Sequence, residues 1–185
     1  MDKEEIQMEF DNYLIRQLST NDTTDFFLLV DKNRKRLEDF FSGTVAKNKD
    51  IESTRVFIPE VIDKAAQRIS YSFVITASSS QKLIGYIDIK SIDWNIPKAE
   101  LGYFIDQHYE GRGILTKALS KIITYCFDTL QINKLLVRTH EANIGSRKMV
   151  EKNGFRVEGI IRNDYKTTSG NIVDLVYYGL LKTEG

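Results

Sequence analysis

Apolar residues change their period several times along this chain, and each change marks an element. Alternation in Tyr13-Leu14-Ile15-Arg16-Gln17-Leu18 predicts a first strand. Asp22, Thr23 and Thr24 then offer helix N-caps, and Phe26, Leu29/Val30, Leu37 and Phe40/Phe41 recur at helical spacing. A second helix is predicted from about Pro59 to Ile69, with Val61, Ile62, Ala65 and Ile69 on one side. Pro59 is expected in its first turn, where a missing N–H does little harm. Tyr71–Ile75 and Leu83–Ile89 flank the polar turn Ser78-Ser79-Ser80-Gln81, the pattern of an antiparallel hairpin.

After a loop holding Trp94 and Pro97, a strand is predicted over Glu100–Ile105. A long helix follows from about Gly113, with Ile114, Leu115, Ala118, Leu119, Ile122, Ile123 and Phe127 at a spacing of three or four. Lys134–Thr139 reads as a strand, Ile144–Lys152 as a helix and Phe155–Ile161 as a strand. Ser169-Gly170 is a hairpin turn before a last strand, Ile172–Leu181. Strands first, then strand–helix–strand–helix–strand, then a hairpin predict a mixed α/β sheet with helices on both faces. No linker, repeat or low-complexity run divides residues 1–185, so one domain is expected.

Composition acts mainly by exclusion. Among 185 residues, 26 are Lys or Arg and 26 are Asp or Glu, so no net field favours nucleic acid or an anionic membrane. One cysteine, Cys126, rules out an internal disulfide and a cysteine metal cluster. Two histidines, His108 and His140, are too few for a usual zinc site. The charged start Met1-Asp2-Lys3-Glu4-Glu5 and the lack of an apolar span of ~18 residues predict neither secretion nor membrane insertion. The cytoplasm is the expected location.

The segment His108-Tyr109-Glu110-Gly111-Arg112-Gly113-Ile114 joins a predicted strand to the long helix. Glycines there permit a tight turn and close approach of a ligand to the main chain. The free N–H groups of the helix start, with the helix dipole, favour an anion such as pyrophosphate. Arg112 and Lys117 are placed to add charge-assisted contacts. No Gly-x-x-x-x-Gly-Lys-Ser/Thr string occurs, which excludes a nucleoside-triphosphate loop. A dinucleotide fingerprint would need glycine at Thr116 and an acid near Gln131 and Ile132, and has neither.

Downstream, Asn143-Ile144-Gly145-Ser146 opens a helix that Asn153-Gly154-Phe155 closes. Asn143 and Asn153-Gly154 are ordinary capping residues in themselves. Together, Glu-x-Gly-x-Gly-Ile opening one helix and Asn-x-x-Ser opening the next resemble the GNAT superfamily of N-acetyltransferases. More narrowly, the chain is similar to the Rim-type branch, which acetylates N-terminal amines of ribosomal proteins. That likeness includes Leu14-x-Arg16-x-Leu18, Ala99-Glu100-Leu101-Gly102-Tyr103-Phe104-Ile105 and Arg162-x-x-Tyr165 … Gly170 … Asp174-x-x-Tyr177. His108, where the superfamily often has Gln or Arg, and Thr23-Thr24, where it often has Asp-Ala, depart from the pattern.

The resemblance implies a GNAT-like, mostly antiparallel central sheet of about seven strands with helices on both faces. It implies acetyl-CoA (coenzyme A) as cofactor, bound by Phe104, Ile105, His108, Gly111, Arg112, Gly113, Ile114, Leu115, Asn143 and Ser146. Transfer would be direct, with the acceptor amine attacking the thioester and no acyl-enzyme; Cys126 then reads as a structural thiol in the long helix. Phe104 or Ile105 would offer a backbone N–H to the thioester oxygen. Glu100 is the candidate base and Ser146 the candidate acid toward the thiolate, with His140 and then Glu158 as alternative bases. Tyr165 and Tyr177 are placed near the acceptor, whose loops also include Trp94. A homodimer is expected from the resemblance.

Freeing the lone pair of a peptide α-amine, pKa near ~7.7–8.0, costs only about 1 kcal/mol at neutral pH, against about 4–5 for a lysine near ~10.4. A carboxylate base therefore suits an α-amine, and the expected acceptor is a protein N-terminus, with no direct nucleic-acid or membrane partner. Two other readings remain open at this point. One is a transferase for a polyamine, aminoglycoside or amino acid, and the other is an acyl-CoA-binding module without turnover.

Overall fold

The computed structural model describes residues 6–184; Met1–Glu5, where the sequence suggested no leader, lie outside them. Eight strands form one sheet: β1 (Gln7–Phe10), β2 (Tyr13–Gln17), β3 (Tyr71–Ala77), β4 (Leu83–Asp93), β5 (Lys98–Ile105), β6 (Lys134–Thr139), β7 (Arg156–Lys166) and β8 (Ile172–Leu181). Their order is β1-β2-β3-β4-β5-β6-β8-β7, antiparallel throughout except for β5 beside β6. The extra strand relative to expectation is β1, whose four residues QMEF alternate but are too short to declare a strand on their own. It turns into β2 through Asp11 at φ 47, and Met8 pairs with Ile15.

Helices α1 (Thr23–Leu37), α2 (Ser42–Lys47) and α3 (Ile51–Ala66) cover one face; α4 (Ile114–Thr124) and α5 (Ile144–Lys152) cover the other. Phe26 and Val30 of α1 and Ile58 and Val61 of α3 pack with Val74, Tyr86 and Phe104. On the opposite face Ala118, Leu119 and Ile122 of α4 meet Ile75, Ile87, Leu101 and Leu135. Burying such side chains contributes about 1.5–3 kcal/mol each. No helix among the described residues is long and apolar enough to cross a membrane.

Two helix expectations need correction. The helix predicted from Pro59 begins at Ile51, because Asp50 and Ser53 form a capping box there. Pro59 is inside α3, on its exposed side with Arg55, so the Arg55 carbonyl that loses its partner faces water. The helix ends at Ala66, leaving Ile69 exposed beyond it. Likewise α1 stops at Leu37; Phe40 and Phe41 belong to a short bend, and Phe41 packs edge-on against Phe104 at 5.4 Å.

The feature that positions the site is an interrupted ladder. β5 pairs with β4 from Lys98 to Ile105, but with β6 only over Lys98–Glu100. Beyond Glu100 and Leu136 the two parallel strands part.

Candidate active site

The gap between β5 and β6 opens a cleft of about 740 Å³. The Asp106 N–H donates to the Ile84 carbonyl on β4, so alternation directs the Phe104 N–H toward β4 as well. The N–H groups of Tyr103 and Ile105 point the other way, into the gap, where no strand meets them. Of the two residues named as oxyanion donors, Ile105 has the right backbone orientation and Phe104 contributes wall.

At one end of the cleft the glycine turn makes a cradle. Gly111 and Gly113 take φ 72 and 73, and a Cβ built on either would meet nothing within 4 Å. Positive φ favours glycine at both positions, and the open space admits a ligand close to the backbone. Gly113 is the N-cap of α4 and offers no side-chain cap; the first internal bond runs from the Lys117 N–H to the Gly113 carbonyl. The N–H groups of Ile114, Leu115 and Thr116 are thus left for an anion. This donor set suits the pyrophosphate of coenzyme A.

Helix α1 holds this loop from beneath. Lys32 donates to Asp106 at 2.7 Å, and Asn33 accepts from the Gln107 N–H at 3.0 Å. Arg36 bonds both the Ile105 carbonyl and Glu110. Asp106 also accepts from the N–H and ring of His108 at 3.0 Å each. Burial opposes ionisation of Asp106, but the Lys32 and His108 bonds outweigh it and hold its carboxyl at about 2. Sequence reading missed Lys32, Asn33 and Arg36. Their signal is a polar stripe on a helix whose Asn33 is nonetheless buried.

Across the gap stands α5. Asn143 caps it by accepting from the Ser146 N–H at 3.1 Å. The Ser146 hydroxyl is 2.8 Å from the Tyr103 phenol. Burial pushes that phenol above its ordinary range, against the pull of the Ser146 bond. Tyr103 carries no signal in the sequence for this contact; only the fold aligns it with Ser146, 43 residues away.

Glu100 projects to the opposite face, toward α1 and α2. Its Oε2 is 3.0 Å from Arg138 and its Oε1 3.6 Å from Lys90. Arg138 continues to Asp164 at 3.6 Å, and Tyr177 donates to Asp164 at 2.6 Å. Over this pocket the bend after α1 meets the β7–β8 hairpin. Ser42 and Tyr165 share a hydroxyl bond of 2.5 Å, and Thr168 donates to the Glu38 carbonyl. Phe40 lies 6.2 Å from the His140 ring. The His140 Nδ1 accepts the Ala142 N–H at 3.2 Å, which places the ring proton of the neutral form on Nε2.

Glu100, Phe104, Ile105, Gly111, Gly113, Ile114, Leu115, Asn143 and Ser146 therefore line one cleft, with His140 and Tyr165. Other residues named from the sequence lie elsewhere. The His108 ring turns to Asp106, and the Arg112 guanidinium sits 5.3 Å over the Tyr109 ring. Lys117 pairs with Asp11 at 2.7 Å, tying α4 to the β1–β2 turn rather than to the cradle. Trp94, in the β4–β5 turn, donates to the Arg68 carbonyl between α3 and β3, outside the cleft wall. Glu158 pairs with Lys134 at 2.7 Å, at the closed end of the β5–β6 ladder. Cys126 is fully buried, and burial pushes its thiol up to about 12.

Comparison with known proteins agrees with this geometry. The acetyltransferase (GNAT) domain family matches residues 12–156. A probable N-acetyltransferase of Bacillus subtilis, YjcK, is 29% identical over 82% of this chain and 84% of its own. A putative ribosomal N-acetyltransferase of the same organism, YdaF, is 42% identical over 55% of each chain. Among solved structures, a ribosomal L7/L12 α-N-protein acetyltransferase in complex with coenzyme A superposes with a TM-score of 0.87 at 19% identity, over 96% of this chain and 98% of that one.

Proposed function

This chain belongs to the GNAT acetyltransferase family, and from that premise we propose that its acceptor is the N-terminal α-amine of a protein, a ribosomal one first. Acetyl-CoA supplies an activated acetyl thioester. The observation that carries the reading is the single cleft joining the cradle at Gly113 to Glu100 through the β5–β6 gap.

Each residue then has a task. The α4 amides hold phosphate, and Asn143 orients the start of α5. The Ile105 and Tyr103 N–H groups meet the charge that develops on the thioester oxygen; a well-placed donor of this kind is worth about 3–4 kcal/mol. Ser146, backed by Tyr103, hands a proton to the departing sulfur. Glu100 faces the amine from the other side of the sheet. His140 is a poorer base, since Nδ1 is already an acceptor for a backbone N–H.

The acids on the cleft wall, Glu100 and Glu110, are each paired with a cation. Nothing there recommends a polyamine or aminoglycoside, which need unpaired carboxylates. The YdaF and L7/L12 enzyme names supply the ribosomal choice, and such an acceptor places the reaction in the cytoplasm. The test is a rate panel with acetyl-CoA and peptides with free N-termini, spermidine, an aminoglycoside and free amino acids. The reading expects the peptides to turn over fastest by at least tenfold. Faster turnover of a small amine would transfer the chain to that class.

A further inference from the structure

A second cavity, of about 470 Å³, lies outside the cleft and shares no lining residue with it. Leu18, Val61, Ile62 and Ala65 give it an apolar wall between the end of β2 and α3. Its size falls within the range of small-molecule sites, about 300–1,000 Å³.

Four polar groups meet this space without partners. Among the described residues, the Gln17 amide and the Tyr71 and Tyr125 hydroxyls make no hydrogen bond, and the Arg68 guanidinium pairs with no carboxylate. Tyr71 is only 7% exposed, yet its hydroxyl is not sealed off and opens on the cavity. Arg68 is the one charged side chain in the lining.

Two irregular pieces of backbone bring these groups together. Arg68 takes φ 59, a left-handed conformation that a long side chain rarely adopts. Trp94 holds it there: the indole N–H donates to the Arg68 carbonyl at 3.0 Å, and the guanidinium lies 4.3 Å over the indole ring. Tyr125 opens the π-helical turn Tyr125–Thr129, a wider coil that recurs at functional sites. Its ring stands edge-on to Tyr71, with centroids 6.5 Å apart. Burial foremost, with Tyr71 and Cys126 adding, pushes the Tyr125 phenol up to about 12, and the Arg68 charge opposes them. The phenol is therefore a proton donor at neutral pH, within the field of a guanidinium that pairs with no anion.

We propose that this cavity is a second ligand site, taking a small aromatic carboxylate. The carboxylate meets Arg68 in a charge-assisted bond and accepts from the phenols. The ring lies on the apolar wall, where tyrosine edges favour another aromatic face. A lone cation with no acid in the lining excludes a cationic ligand. The site is separate from the transfer reaction and does not rest on the choice of acceptor.

The test is calorimetric titration of the full chain with phenylacetate, 4-hydroxyphenylacetate and indole-3-acetate, with phenylacetamide and hexanoate as controls. Saturable binding of at least one aromatic acid is expected below about 1 mM, unchanged when acetyl-CoA is saturating. The two controls should bind about tenfold more weakly or worse. Arg68→Gln should weaken the acid by a similar factor, about tenfold or more, through loss of a charged bond. Ala65→Trp should abolish binding by filling the space, with both variants keeping the wild-type circular dichroism. No saturable binding of any of the acids, equal binding of either control, or competition with acetyl-CoA overturns the proposal. Methyl NMR of the wild-type protein answers without a variant: the acid must shift Ile62 and Ala65 and leave Ile105 and Ile114 of the cleft in place. Shifts confined to the cleft methyls overturn it.

Discussion

Asp106→Asn tests how the phosphate loop is held. Asp106 is buried, bonded to Lys32 and twice to His108, and its carboxyl is held at about 2. Against ~3.9 unfolded, at 1.36 kcal/mol per unit, the full shift is worth about 2.6 kcal/mol. Lys32 is partly exposed, and solvent screening reduces this to roughly 1–2 kcal/mol. The folded value is the lower one, so the stabilisation is complete above the unfolded pKa and disappears as pH falls through the folded value. About half remains at pH 3. Urea unfolding should therefore find the variant less stable by roughly 1–2 kcal/mol at pH 7 and by half that at pH 3. The KM for acetyl-CoA should also rise, because the loop leads directly into Gly111 and Gly113. An identical deficit at both pH values, or no deficit at all, would refute the electrostatic account of this loop.

Three other outcomes follow from the same geometry. Tyr103→Phe and Ser146→Ala should each lower kcat by about tenfold or more, and the double variant should lose little beyond the worse single, since paired hydroxyls act as a unit; fully additive losses count against the pairing. Cys126 should resist thiol reagents until the protein unfolds, and Cys126→Ala should keep its kcat while melting lower; an inactive, folded variant would restore a chemical role for the thiol. Asp88→Asn should raise the melting temperature at pH 7, because burial raises this carboxyl's pKa, which destabilises the fold above the unfolded value, and this gain should shrink toward pH 4.

Much of the sheet is legible because short apolar runs such as Tyr71–Ile75 and Lys134–Thr139, bounded by turns, contrast with the three-to-four-residue period of Ile114–Ile123. Ends were harder. Pro59 looked like a helix start and proved interior, since Asp50 and Ser53 cap eight residues earlier than the apolar stripe suggested. β1, at four residues, is too short to declare itself and is fixed by pairing with β2. The site divides along similar lines. Gly111, Gly113, Asn143 and Ser146 sit in local motifs whose backbone demands can be read in order. Tyr103 beside Ser146, Arg36 on the Ile105 carbonyl and Asp88 against Gly102 are contacts between distant segments or neighbouring strands, and register decides them. Lys117 and Glu158 had the right charge and sequence neighbourhood, but their side chains leave toward Asp11 and Lys134.

The most direct measurement is calorimetric titration of acetyl-CoA into the wild-type protein and into Gly113→Trp. The account predicts one binding site in the wild type and none in the variant, with the variant still folded by circular dichroism. A bulky side chain would then fill the space that the backbone amides of α4 need for phosphate. Equal binding by both proteins would contradict the placement of the cofactor, and absence of binding by the wild type would contradict the account at its centre.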